Sequence, residues 1–401
     1  MRRQTPIRRI AITSDWAFRA PTNALLLSRY APPTGTGRKH RECGSSIRRR
    51  GVNDKPSGIG AAVGGQRGAT VAGTGSTSAK TSILETIGNT PVVRLGKLFP
   101  ESGLDVFAKL EALNPGGSIK DRPAYNIITK AMESGEVTQD TTIVESSSGN
   151  FAIGLAQMCA YLGLRLVCVV DIKTTAQNVR IIEAYGARVD LVSEPDPTTG
   201  EYLQARLHRV RQILTSIPNS FWPNQYVNRD NSGSHYGTTM PEIVDLLGPH
   251  IDYVFLATST CGTLRGCAEF LHERGMATRI IAVDAMGSVI FGRPSGKRLL
   301  PGHGAGVVPK LFAPDLADDV VHVSDLDCVV GCRRLVQHEA ILAGASSGGV
   351  ISAIERLVAD EKIRRPARCV AILADRGERY LDTVYSDSWV QSHFSGEEFP
   401  L

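Results

Sequence analysis

One lysine stands out for its place in the chain. In ALNPGGSIKDRPAYNIITKA, residues 112–131, Lys120 falls between a flexible Pro-Gly-Gly turn and the entrance of a helix. Ser118 and Asp121 have the spacing of a capping box, which sets Lys120 in the first turn, while Pro123 moves the expected start toward Arg122. The positive end of a helix favours a neutral amine, and a desolvated lysine can act as a Schiff-base nucleophile. A solvated lysine at a helix cap is the plainer alternative for this loop alone.

Three further loops sit where a strand meets a helix. ESSSGNFAIG, residues 145–154, offers three hydroxyls, a glycine and an amide at a helix N-terminus, which is a cradle for a carboxylate or an ordinary Ser/Asn cap. ATSTCGTLRGCAEF, residues 257–270, places Ser259, Thr260, Gly262 and Thr263 where they could wrap a phosphate. It is not a Walker A loop, so nucleotide hydrolysis loses support. AGASSGGV, residues 343–350, adds Ser346 and Ser347 after small residues. One reactive lysine, one carboxylate cradle, one phosphate cradle and one extra serine together suit an amino-acid enzyme using pyridoxal phosphate, in which the cofactor supplies the electron sink.

These loops need a scaffold, and the pattern around them supplies one. DVFAKLE, TTIVES, LRLVCVV, RVDLV, DYVFLAT, RIIAVDA and ARCVAILAD read as strands. AIGLAQMCAYLG, AQNVRIIEAYG and LRGCAEFLHERG read as helices, the first two stopped by Gly163 and Gly186. Such alternation predicts an α/β protein with mostly parallel sheets. The irregular SFWPNQYVNRDNSGSHYGTT separates two runs, which predicts two lobes with a cleft between them. Ligands in such folds collect at the carboxyl ends of the strands.

Composition sets the outer bounds. The 401 residues are 42% hydrophobic, enough for one large or two medium domains. The net charge of +5 is carried by the Arg-rich first 80 residues, and the remainder is net acidic. That first segment has no sustained apolar period and reads as disordered. A misassigned upstream start is the preferred explanation, with an organelle transit segment and a basic nucleic-acid arm as alternatives. The folded part requires no nucleic-acid partner, and no apolar run reaches transmembrane length. Eight scattered cysteines without a C-x-x-C pair read as buried reduced thiols of a cytoplasmic protein, with no metal site.

The loops, taken in order, resemble the fold-type II pyridoxal-phosphate enzymes of the cysteine synthase and cystathionine β-synthase family, over roughly residues 82–385. NPGGSIKDRPA is similar to that family's N-P-x-x-S-x-K-D-R signature, which implies that Lys120 carries the cofactor. SSGN is similar to T-S-G-N, implying Asn150 at the cofactor's 3′-oxygen and Ser147 and Ser148 at the substrate carboxylate. STCGT resembles the G-T-G-G-T phosphate loop and implies roles for Ser259, Thr260, Cys261, Gly262 and Thr263. GASSG resembles G-I-S-S-G, placing Ser346 at the pyridine nitrogen, and NQY resembles Q-Q-F, placing Gln225 at the substrate carboxylate. The resemblance implies a tryptophan synthase β-like fold with helices on both faces of parallel, twisted sheets, and a homodimer. Residues 81–113 plus 225–385 would form the larger cofactor lobe, 114–224 a smaller mobile lobe and 386–401 a tail.

Phe151, Ser259 and Cys261 stand where ordinary cysteine synthases have threonine and two glycines. ESSSGNFA, CVVDIKTT, FWPNQYVNRDN and STCGTLRGC instead resemble the branch of 2,3-diaminopropionate biosynthesis, whose members join O-phospho-L-serine to L-glutamate for siderophores or peptide products. An anionic acceptor needs a cation. In EYLQARLHRVRQIL the stripe Leu203, Leu207, Val210 and Leu214 faces inward, and Arg206 leans onto it while Arg209 and Arg211 point away. Arg206 is therefore expected to reach an anionic substrate, with Tyr226 and Ser259 nearby; an ion-paired structural arginine is the alternative. Arg265 and Arg293 are weaker candidates. A cysteine synthase or O-phosphoserine sulfhydrylase and an inactive binding homologue remain the competing functions.

Overall fold

The computed structural model describes residues 79–100 and 103–395; the rest of the basic first segment, including Cys43, lies outside the described residues, as does 396–401. In chain order the elements are β1 (Val92–Arg94), β2 (Leu104–Leu110), α1 (Asp121–Glu133), β3 (Thr142–Glu145), α2 (Asn150–Leu162), β4 (Arg165–Asp171) and α3 (Ala176–Ala184). There follow β5 (Arg188–Val192), α4 (Tyr202–Ser216), β6 (Ser220–Phe221), α5 (Arg229–Ser234), α6 (Met240–Leu247), β7 (Tyr253–Ala257), α7 (Gly262–Glu273) and β8 (Arg279–Ala285). The last are β9 (Asp319–Val323), α8 (Asp325–Glu339), α9 (Ala345–Ala359), β10 (Ala367–Leu373) and α10 (Asp387–Phe394).

The strands form a six-stranded sheet in the order β1-β2-β10-β7-β8-β9 and a four-stranded sheet in the order β5-β4-β3-β6. Every pairing is parallel except β1 with β2. Alternate side chains of each buried strand enter opposite cores. On β7, Tyr253 and Phe255 join a core with α8, α9 and α10, while Val254 and Leu256 join a second with α6 and α7. On β4, Leu166, Cys168 and Val170 pack with α1, α2 and α3, while Val167 and Val169 pack with α4. Helices therefore cover both faces of both sheets, as expected for parallel sheets buried on each side. Gly163 ends α2 in the left-handed conformation, as its position predicts.

Three local readings are corrected. Ser118 does not cap Asp121; its Oγ accepts the Lys120 N–H at 3.1 Å, and Lys120 itself is the cap residue of α1. The Asp121 carboxylate turns back instead to the Gly116 N–H at 2.5 Å, closing the Pro-Gly-Gly turn. On α4 the buried residues are Val210 and Ile213, whereas Leu203 and Leu207 are half-buried. Arg209 pairs with Asp190 of β5 at 2.8 Å. Beyond residue 386 the chain forms α10, whose Val390 and Phe394 enter the core of the larger sheet.

Behind Lys120, charges are buried together. Arg122 donates to Glu111 at 2.7 and 2.8 Å and to Glu242 at 2.6 and 2.7 Å. Lys109 reaches Glu242 and the Thr90 carbonyl, each at 2.6 Å. Two cations and two carboxylates thus balance, tying α1 to β2, to the turn at Glu111–Leu113 and to α6. Although burial opposes its charge, Arg122 and Lys109 hold the Glu242 carboxyl down at about 2. Breaking a buried pair leaves uncompensated charge and costs about 3–5 kcal/mol. Arg122→Met is therefore expected to lower chemical-unfolding stability by about that much, while Arg94→Ala, at an exposed pair, shifts it by less than about 1 kcal/mol. Equal midpoints for the two variants would show that the network is not structural.

Candidate active site

Lys120 is held by the two residues that precede it. Ile119 sinks into the core shared by α6 and α7, and its N–H donates to the Ala374 carbonyl at 2.8 Å. Ser118 forms a bridge with Asp375, just past the carboxyl end of β10. The lysine thereby lies at the edge of the larger sheet, facing a cavity of about 900 Å³. Burial pushes its amine down to about 8, against the opposing influence of Cys261 and Asp375.

All thirteen residues singled out from the sequence line this one cavity: Lys120, Ser147, Ser148, Asn150, Arg206, Gln225, Tyr226, Ser259, Thr260, Cys261, Gly262, Thr263 and Ser346. Arg265 and Arg293 do not. Arg265 is turned to the Leu311 carbonyl at 2.5 Å and to Glu269 at 3.0 Å, and Arg293 is exposed.

Two helix N-termini open onto the cavity. Ser147, Ser148 and Asn150 lie at the start of α2, where Phe151 turns into the apolar core of the smaller sheet while also lining the cavity wall. Ser259 to Thr263 lead into α7. Cys261 caps it with φ of 61°, a left-handed conformation that a glycine would adopt without strain. Its side chain packs with Ile290, Ala305 and Leu311. The loop is braced from behind: Asn231 Nδ2 donates to Thr260 Oγ1 at 3.2 Å, and the Thr263 hydroxyl meets the buried His235 ring at 3.3 Å. His235 opens a π-helical turn, His235–Thr239, and burial holds its imidazole neutral. Asn231 Oδ1 is buried without a hydrogen-bond partner beside Gly262.

Several cavity residues were not singled out by the sequence. Asp375 accepts from Asn150 Nδ2 at 2.7 Å and from the Tyr380 hydroxyl at 2.8 Å, and its other oxygen is buried without a partner. Burial raises its carboxyl. Arg379 donates to the Asn150 side-chain oxygen and, at 2.5 Å, to the Gly116 carbonyl. Asp375 stands directly after the strand ARCVAIL, so the rule that ligands gather at carboxyl strand ends would have found it. Arg206 does face the cavity, ion-paired to Asp171 at 3.2 Å and 3.4 Å from Ser148 Oγ. It lines the cavity and is ion-paired to Asp171, as the structural alternative for it expected. Among the described residues no cluster of side chains is arranged to hold a metal, the seven cysteines are buried and unpaired, and no helix is long and apolar enough to cross a membrane.

The donor set fits a phosphorylated aldehyde cofactor. A buried amine of lowered basicity faces a hydroxyl-rich loop at the N-terminus of a twelve-residue helix. Asn150 keeps one amide N–H beyond the one given to Asp375, and Ser346 is buried in the first turn of α9 on the same cavity.

Comparison with known proteins agrees with this donor set. A family described as pyridoxal-phosphate dependent enzyme matches residues 83–375. The N-(2-amino-2-carboxyethyl)-L-glutamate synthase of Ralstonia nicotianae is 48% identical over 309 residues, covering 77% of this chain and 90% of that protein. The protein of the same name from Cupriavidus metallidurans is 46% identical over 310 residues, covering 77% and 91%. Among solved structures, an O-acetylserine dependent cystathionine β-synthase from Helicobacter pylori aligns with a TM-score of 0.72 at 31% identity, covering 77% of this chain and 100% of that one.

The lowered basicity of Lys120 has a kinetic signature. Covalent uptake of pyridoxal phosphate by the apoprotein needs the neutral amine, whose fraction grows as pH rises through about 8. The uptake rate is expected to climb below that pH and to flatten above it; a rate still climbing steeply toward pH 10 would mark an ordinary solvated lysine.

Proposed function

This chain belongs to the pyridoxal-phosphate dependent enzymes, and from that premise we propose that it catalyses a β-replacement joining O-phospho-L-serine and L-glutamate. The products are N-(2-amino-2-carboxyethyl)-L-glutamate, a precursor of 2,3-diaminopropionate for siderophores or peptide natural products, and phosphate. The observation that carries this reading is the likeness to the Ralstonia synthase, 48% identical across 90% of that protein's length. The cavity supports it. Sulfide brings no carboxylate to be held, whereas this cavity presents Arg206 beside Ser148, with Tyr226 and Ser259 on the same lining.

Pyridoxal phosphate, when bound, supplies the electron sink that lets the α-carbon of the donor amino acid lose its proton. The chain's own residues do the rest. Lys120 would hold the cofactor through Nζ, and the same amine would take the α-proton and later return it to the same carbon. An amine held at about 8 exchanges that proton near neutral pH with little driving force lost either way. Ser147, Ser148 and Gln225 hold the donor carboxylate at the positive end of α2. Ser259, Thr260, Cys261, Gly262 and Thr263 hold the cofactor's phosphate at the positive end of α7. Asn150, fixed between Asp375 and Arg379, has one N–H left that would hold the cofactor ring's oxygen. Ser346 would hold the ring nitrogen. A neutral hydroxyl there would leave that nitrogen unprotonated, which favours elimination over racemisation.

In the overall reaction the bond between the donor's β-carbon and the phosphate oxygen breaks. A bond from the glutamate nitrogen to the same carbon forms, and the nitrogen gives up a proton. Arg206 is assigned to an anionic group of the substrates; its ion pair with Asp171 orients the guanidinium and leaves further donors for that group. The protein is proposed to be a cytoplasmic homodimer that acts on small amino acids, with no nucleic-acid or membrane partner.

The test is a product analysis. Holoenzyme receives O-phospho-L-serine with equal L-glutamate and sulfide, and the products are read by mass spectrometry. A glutamate adduct with stoichiometric phosphate is expected. Cysteine as the sole product would make the protein an O-phosphoserine sulfhydrylase and overturn the glutamate reading. Lys120→Ala should abolish turnover, and borohydride should attach no pyridoxyl group to that variant.

A further inference from the structure

The chain between β8 and β9, residues 286–318, has no strand and no helix longer than the single turn Pro314–Leu316, yet it forms one wall of the cavity. Its shape is fixed by backbone contacts. Gly287, with φ of +80°, passes so close to Gly296 that an added Cβ would lie 2.9 Å from the latter's backbone. The Gly296 N–H donates to the Gly287 carbonyl at 3.0 Å, and Arg298 Nη1 donates to that same carbonyl at 2.8 Å. Two more glycines make room for this arginine. A Cβ on Gly304 would lie 3.3 Å from Arg298 Cδ, and one on Gly306 would lie 3.7 Å from Nη2.

One nitrogen of Arg298 therefore anchors the side chain to its own loop, and the edge formed by Nε and Nη2 is left for another partner. No carboxylate among the described residues pairs with it. Two other half-buried guanidiniums of the cavity are engaged, Arg206 with Asp171 and Arg379 with Asn150 and Gly116. The cavity thus has one guanidinium on the wall of the smaller sheet, Arg206, and one on the 286–318 wall, Arg298, with Tyr226 lining the same space.

Building on the proposed reaction, we infer that Arg298 binds a carboxylate of the acceptor amino acid, through its free Nε–Nη2 edge. A guanidinium edge matches a carboxylate with two parallel N–H bonds. The donor's carboxylate already has the hydroxyl cradle at α2, on the other lobe's helix. A dicarboxylic acceptor brings more negative charge than Arg206, already paired to Asp171, can meet alone.

The experiment uses holoenzyme of the wild type, Arg298→Lys and Arg298→Gln, each checked for an unchanged unfolding midpoint. Two quantities are read: KM for L-glutamate at saturating O-phospho-L-serine, and the O-phospho-L-serine dependence of the phosphate burst without acceptor. Loss of a charge-assisted pair weakens binding roughly ten- to a hundredfold. Arg298→Gln is expected to raise KM for glutamate by that factor and to shift the burst's donor dependence far less. Arg298→Lys, which keeps the charge but not the two-pronged edge, should fall between. Equal KM values for glutamate in all three proteins would overturn the assignment. A weakened donor dependence with unchanged KM for glutamate would move Arg298 to the donor's phosphate and overturn it as well. Failure of the wild type to form any glutamate adduct would instead sink the proposed function, and this inference with it.

Discussion

An amine that must stay buried without a carboxylate of its own governs this structure. Lys120 faces the cavity with Cys261 and Asp375 as its nearest ionisable influences, and burial lowers its basicity to about 8. A partner close enough to raise the amine fully would remove the nucleophile; an exposed position would do the same through water. The surrounding residues hold a middle course. Asp375 is near enough to act on the lysine, but its carboxylate is occupied by Asn150 and Tyr380, and burial favours its neutral form.

Keeping the lysine there requires a rigid base, which the charges behind it provide. Asp121 and Arg122 follow Lys120 directly, yet point to opposite ends of the design. Asp121 closes the Pro-Gly-Gly turn in front, where burial raises its carboxyl to about 7, while Arg122 enters the network of Glu111, Glu242 and Lys109 behind. The two residues thus fix the backbone of Lys120 from both sides. The sign of the pH dependence follows. Asp121, raised from 3.8, favours folding below about 4 and loses that contribution as pH rises through 7; Glu242, held at about 2, contributes above 4.5 and loses it as pH falls toward 2. Stability is therefore drawn from opposite flanks of the pH scale by Asp121, beside the lysine in the chain, and by Glu242, which reaches its neighbour Arg122.

Much of this was legible in the sequence because the chemistry sits at strand–helix junctions, which composition marks with Gly, Ser and Thr. The long strands and α2 were legible through runs of apolar residues and a terminal glycine. The strands β1 and β6 were not, since three and two residues carry too little periodicity, and β9, though as long as β5, was passed over. Ser118 misled because its spacing to Asp121 fits a capping box, but Gly116 offers the carboxylate a nearer N–H. Arg209 lies off the buried stripe as read, but helical periodicity knows nothing of its partner Asp190 on the neighbouring strand. Asp375 lay within reach of the strand-end rule but was not singled out, whereas Arg298 escaped for a different reason. Its place is set by a contact to the carbonyl 11 positions away and by glycines around it, and no local pattern records such a meeting.

The position of Cys261 joins two parts of the site that the sequence presents as separate. Where the phosphate loops that it resembles carry glycine, this chain keeps a side chain in a left-handed conformation, an arrangement with an intrinsic cost of order 1 kcal/mol. The compensation is visible in what the side chain touches: Ile290, Ala305 and Leu311, all from the irregular segment that also carries Arg298. Gly304 strengthens the join, donating its N–H to the Thr258 carbonyl at 2.8 Å at the start of the same loop. The loop proposed to hold the cofactor's phosphate is thereby packed against the wall proposed to meet the acceptor. A glycine at 261 would relieve the backbone and release that wall. On those proposals, the residue that departs from the simpler pattern joins cofactor cradle to substrate wall, which is where an enzyme selecting a larger, anionic acceptor has use for rigidity.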